Sequence, residues 1–127
     1  MAYGYGTQLQ QYKQQSINTM TKGELLILLY DEWIKRMRRA VIAIEDNDTI
    51  QAHEAIVRSR DIIDYLMATL DPKYPISAEL ARLYDFFKYQ LVEANIKKDK
   101  TMIEAIIPMV TDLRDTRKEA NKISQGQ

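Results

Sequence analysis

A chain of 127 residues, 46% hydrophobic and 28% charged, has the size and composition of one globular domain with a single core. Eighteen basic residues balance eighteen acidic ones, so no net field draws the chain to nucleic acid or to an anionic membrane. Without cysteine there is no disulfide or thiolate metal site, and neither the N-terminus nor the longest apolar run, Leu25 to Tyr30, resembles a signal peptide or a membrane span; the expected compartment is the cytoplasm.

Residues 1–20 stand apart. They hold Gly4, Gly6, a glutamine-rich run and a single charge, Lys13. Such a segment buries too little to fold alone, so a flexible N-terminal arm is expected, anchored through Tyr12 and Ile17. Thr21 with Glu24 three residues later is a capping box that opens the first helix. Leu26, Leu29, Tyr30, Trp33, Met37, Ala40, Val41 and Ile44 then share one arc at about 100° per residue. Asp46-Asn47-Asp48 ends that helix, and Asp48 caps the second, whose stripe is Ala52, Ala55, Ile56, Ser59, Ile62, Ile63, Leu66 and Leu70. Asp71-Pro72 through Pro75 is a break, because proline and the residue before it both resist helix.

Ser77 is the expected cap of the third helix, which runs to about Lys97. Leu80, Leu83, Tyr84, Phe87 and Leu91 form its core arc. Asp99 caps the fourth, with the stripe Met102, Ile103, Ala105, Ile106, Met109, Val110, Leu113 and Ala120. Pro108 removes one amide donor there and should bend the helix around the core. Four helices of about 22 residues, each about 33 Å long, joined by short loops, predict an all-α antiparallel up-down four-helix bundle over residues 21–123. The arm precedes it, and a frayed tail at 124–127 follows.

The chain lacks equipment for most chemistry. His53 is the only histidine, and Ile50 stands three residues before it, so no Glu-x-x-His metal pair exists. One histidine without cysteine assembles no specific nucleophile and base, and there is no glycine-rich phosphate loop. Lys35, Arg36, Arg38 and Arg39 spread over the polar arc of the first helix among acidic residues, the pattern of a solvated face and not of a nucleic-acid track. No enzyme, metal or cofactor is expected.

What remains is surplus apolar surface. In the third helix Ala78, Ala81, Tyr89, Val92 and Ile96 make a second arc roughly opposite the first, with Phe86 also outside the core. Leu25 and Leu28 fall off the first helix's stripe, and Ile50, Val57 and Tyr65 off the second's. Contiguous exposed apolar patches mark interaction sites. Two readings use this surface: a docking face for another protein, or a helical module that associates with itself or with an adaptor.

Tyr12-Lys-Gln-Gln-Ser-Ile-Asn-Thr19 and Gly23-Glu-Leu-Leu-Ile-Leu-Leu-Tyr-Asp31 resemble the N-terminal signature of the FliS family, the flagellar secretion chaperones. Leu83-Tyr-Asp85, Leu91-Val-Glu-Ala-Asn95 and Leu113-Arg-Asp115 follow in that family's order and spacing. Two positions depart from it: Lys22 stands where the family often has proline, and Arg117 where it commonly has tryptophan. An arginine stem can cover apolar surface while its head stays wet. The resemblance implies a four-helix bundle that holds the disordered C-terminal segment of flagellin in the cytoplasm, prevents its premature polymerisation and presents it for export. It also implies that other flagellar regulators or export components can share the surface; neither nucleic acid nor membrane insertion is implied.

Ordering a 30-residue guest costs very roughly 30–60 kcal/mol of backbone entropy. At about 25 cal/mol per Å² only an extended contact of 1,000–3,000 Å² can offset that. The candidate contacts are therefore spread: Ile50, Val57, Phe86, Tyr89, Val92 and Ile96, with Leu25 and Leu28 near the arm. Asn95, near the end of the third helix, either bonds a partner's backbone or serves as a local cap.

Overall fold

A computed structural model describes residues 19–125. The arm anchors Tyr12 and Ile17 lie outside the described residues. Four helices account for nearly everything described: α1 (Lys22–Glu45), α2 (Thr49–Ala68), α3 (Ile76–Lys97) and α4 (Lys100–Gln125). There is no strand among the described residues. Each helix packs on two neighbours, α1 and α3 each lying between α2 and α4, so α1 and α3 face one another across the diagonal. Connections of only a few residues between such long helices force successive ones to run antiparallel.

Two of the three connections are built alike. At residue 47 and again at residue 98 the backbone turns left-handed, with φ of 58° at Asn47 and 50° at Lys98. The next amide then reaches back into the closing helix, Asp48 N–H to Ala43 O at 2.8 Å and Asp99 N–H to Ala94 O at 3.0 Å. The same aspartate starts the following helix. Asp48 Oδ1 accepts from Gln51 N–H at 3.1 Å, and Asp99 Oδ1 accepts from Thr101 N–H at 2.9 Å. Both expected aspartate caps are present. At the other end Glu24 N–H donates to Thr21 Oγ1 at 3.2 Å, as the capping box requires.

The centre of the core is aromatic and spans the diagonal. Trp33 of α1 is fully enclosed, with its ring centroid 5.5 Å from that of Phe87 in α3 and 6.1 Å from that of Tyr30. The hydroxyls of Tyr30 and Tyr84 bond to each other inside the bundle. Burial, followed by the neighbouring Tyr30, pushes the Tyr84 phenol above the ordinary tyrosine range. The indole N–H of Trp33 finds no acceptor among the described residues. Leaving it unpaired costs about 1–3 kcal/mol, less than the roughly 4–6 kcal/mol that burying so large a ring contributes. Toward the 46–48 connection Ala40, Ala43, Ala52 and Ala55 are buried, and their small side chains let α1 and α2 approach closely. At the rim Arg114 of α4 donates to Asp31 of α1 at 3.1 Å and also pairs with Asp115.

Three expectations change. Ser77 is not the cap of α3. The helix starts at Ile76 with Pro75 at the cap position, and the buried Ser77 hydroxyl donates to Asp71 O, tying down the loop. On α4, Ala105, Met109 and Ala120 are exposed; Ile103, Ile106 and Val110 carry the buried stripe, with Met102 and Leu113 at its margins. The core stripe of α1 also takes in Ile34 and Ala43. The fourth helix, α4, runs from Lys100 to Gln125 with Pro108 inside it.

Candidate partner-binding surface

On α3 the core arc Leu80, Tyr84, Phe87, Leu91 and Ala94 is buried, which turns the opposite arc to solvent. Tyr89 is 62% exposed, Ile96 72% and Phe86 43%; Val92 is half-buried. Ile50, on the first turn of α2, is 71% exposed, and Val57 two turns on is half-buried. Amphipathic helices of closed bundles show one apolar face. Here α3 shows two.

Two polar contacts fix the register between α2 and α3. Lys88 Nζ pairs with Asp64 Oδ1 at 2.6 Å, and Asn95 Nδ2 lies 2.9 Å from His53 Nδ1. Between these pins the antiparallel register sets Val57 against Val92; beyond the second pin come Ile50 and Ile96. The strip formed by these four residues follows the α2–α3 seam and continues across α3 through Tyr89. Phe86 sits on the other flank, toward α4, with its ring 5.7 Å from that of Phe87. Asn95 is locally engaged: Lys98 Nζ donates to Asn95 Oδ1 at 2.6 Å and to its carbonyl at 2.7 Å, closing the end of α3.

Leu25 and Leu28 belong to a different region. Both are half-buried near the start of α1, which lies diagonal to α3. The structure does not join them to the α2–α3 strip. Nearby, where α1 begins and α3 begins, a recess of about 240 Å³ is lined by Tyr30, Ile76, Leu80, Leu113, Arg117 and Ala120. Arg117, the residue at the family's usual tryptophan position, lies half-buried along this apolar wall.

Several exposed apolar residues escaped the sequence reading. Ile42 is 56% exposed on α1, and Tyr74 and Ile76 flank the α2–α3 connection. Ile42 carried a signal, since it lies off the arc defined by Val41 and Ile44. Tyr74 carried none, because no periodicity operates in a loop, and Ile76 is the first residue of α3. Among the described residues no three metal-ligating side chains converge, and no helix is long and apolar enough to cross a membrane.

Comparison with known proteins bears on what such a surface is for. The family model described as flagellar protein FliS matches residues 5–124. The flagellar secretion chaperone FliS of Bacillus subtilis (strain 168) is 39% identical over 109 residues, covering 86% of this chain and 82% of the relative. The protein of the same name from Salmonella typhimurium is 26% identical, covering 84% and 81%. That from Escherichia coli K12 is 22% identical over 110 residues, 84% of this chain and 81% of the relative.

Proposed function

The chain belongs to the FliS family of flagellar proteins, and from that premise we propose that it is a cytoplasmic export chaperone whose cargo is the C-terminal segment of flagellin. The observation that carries this reading is the second apolar face of α3. Tyr89 and Ile96 stand in water beside Ile50, Val57 and Val92, while the core behind them is already closed by Phe87 and Leu91. Ile50, Tyr89 and Ile96, the most exposed of these, contribute little to the bundle's own stability. Their burial awaits a guest.

The mechanism is coupled folding and binding. A disordered segment forms helical turns against the strip and buries anchors at helical spacing, and the apolar area covered offsets the entropy of ordering it. A segment so held cannot pair with another copy of itself, which is how a chaperone delays filament assembly. The reading assigns contact to Ile50, Val57, Phe86, Tyr89, Val92 and Ile96 as one surface. Leu25 and Leu28 on α1 form a separate patch that a long wrapping guest can reach. Asn95 acts at the seam.

Titration calorimetry of the full chain with a peptide of the flagellin C-terminal segment from the same organism tests the proposal. It requires saturable 1:1 binding with a negative heat-capacity change, the mark of apolar burial. No heat at tens of micromolar protein, together with a tight dimer in sedimentation, would instead assign the strip to self-association.

A further inference from the structure

The apolar strip along the α2–α3 seam is interrupted at one place, and the hydrogen bonding there has a definite direction. Lysine carries only donors. Because Lys98 Nζ lies 2.6 Å from the side-chain oxygen of Asn95, that amide must present its oxygen to Lys98 and its NH₂ group to His53. The NH₂ group then donates to His53 Nδ1, 2.9 Å away. An Nδ1 that accepts has no proton, so the neutral ring carries its proton on Nε2. No acceptor for that Nε2–H is present among the described residues, and His53 is exposed.

The position of this donor matters. His53 lies one turn from Ile50 and one turn from Val57 on α2, and Asn95 adjoins Ile96 and lies one turn from Val92 on α3. The donor therefore stands between two pairs of apolar anchors. A helix laid along the strip covers it, and a covered donor without an acceptor carries the full desolvation penalty. We propose that His53 is a specificity-determining residue. It selects guest segments that place a side-chain oxygen acceptor one helical turn from an apolar anchor on either side, and it disfavours segments that are apolar at that place. Asn95 and Lys98 act as positioning residues by fixing which ring nitrogen holds the proton. This rests on the reading of the strip as the seat of the flagellin segment.

The test is a set of double-mutant cycles by calorimetry, using the full chain and the flagellin C-terminal peptide. Each Asn, Gln, Ser, Thr, Asp and Glu of the peptide is replaced in turn by alanine and titrated against wild type, His53→Leu and Ile96→Glu. The expected result is one peptide position whose replacement weakens wild-type binding about tenfold, roughly one hydrogen bond's worth, and leaves binding to His53→Leu unchanged or tighter. Whether that position is an amide, a hydroxyl or a carboxylate identifies the preferred acceptor. Asn95→Leu should blunt the same coupling, since the ring is then free to take either tautomer. If every replacement has the same effect on wild type and on His53→Leu while Ile96→Glu still weakens binding, the selection is overturned and the seat stands. If Ile96→Glu binds as wild type does, the seat itself is wrong.

Discussion

Replacing Ile96 with alanine separates a docking residue from a core residue on the same helix. Full burial of an isoleucine side chain contributes about 1.5–3 kcal/mol. With 72% of Ile96 exposed, the folded bundle draws only about 0.4–0.8 kcal/mol of that, and alanine's better helix propensity returns about 0.4 kcal/mol. The variant should thus melt within a degree or two of wild type. A guest that covers the rest of the side chain gains about 1–2 kcal/mol, so Ile96→Ala should weaken binding of the flagellin segment about five- to thirtyfold. Leu91, one turn and a residue away and wholly enclosed, is the control: Leu91→Ala should cost about 2–5 kcal/mol of stability. Thermal melts and calorimetry on the same samples read both quantities. If Ile96→Ala destabilised the fold as Leu91→Ala does, or left binding untouched, the inference from exposure to docking would be refuted.

The remaining predictions concern the frame and the seam. Val57→Glu and Val92→Glu should each weaken peptide binding about tenfold or more by seating a carboxylate in an apolar contact, with the melting temperature nearly unchanged; a matching loss of stability would assign these residues to the core. Tyr30→Phe strands the Tyr84 hydroxyl and should cost about 1–3 kcal/mol, whereas adding Tyr84→Phe should recover most of it, because replacing both partners is nearly neutral; denaturant unfolding gives the cycle. The raised Tyr84 phenol keeps its proton in the fold at a pH where the unfolded chain, near 10, loses it. Its contribution is therefore complete below about pH 10 and is lost above it at about 1.4 kcal/mol per pH unit, a fall that Tyr84→Phe should remove. Asp48→Ala removes the acceptor for Gln51 N–H and should cost about 1 kcal/mol in the same assay.

The periodicity of the apolar residues was enough to read the four helices, their order and the aromatic centre. Trp33, Tyr84, Phe87 and Leu91 lie where a 100° repeat sets them, and the aspartate caps follow from side chains that satisfy orphan amides. The motifs that carry the family resemblance proved to be mostly framework. Tyr30 and Tyr84 bond to each other, Arg114 pairs with both Asp31 and Asp115, and Asn95 meets His53 and Lys98. The Tyr30–Tyr84, Asp31–Arg114 and His53–Asn95 pairings join residues far apart in the chain, and no single-helix pattern contains them. His53 illustrates the point: on its own helix it faces solvent, and only the neighbouring α3 supplies its partner. Met109 and Ala120 were misplaced for a related reason. An apolar stripe shows which face is turned inward but not how far the neighbouring helix reaches to cover it. Met109 lines the open α3–α4 groove beside Leu83 and Phe87, and Ala120 borders the recess at the bundle's end. Ser77 matched the rule for a cap, yet its hydroxyl had a better-placed acceptor in the Asp71 carbonyl.

Sedimentation velocity of the full chain, alone and with one equivalent of the flagellin C-terminal peptide, reaches the central claim most directly. A strip held open for a guest predicts a monomer near 15 kDa at tens of micromolar that converts to a single 1:1 species on adding peptide. A chain already dimeric through α3, from which the peptide neither binds nor displaces a subunit, would contradict it.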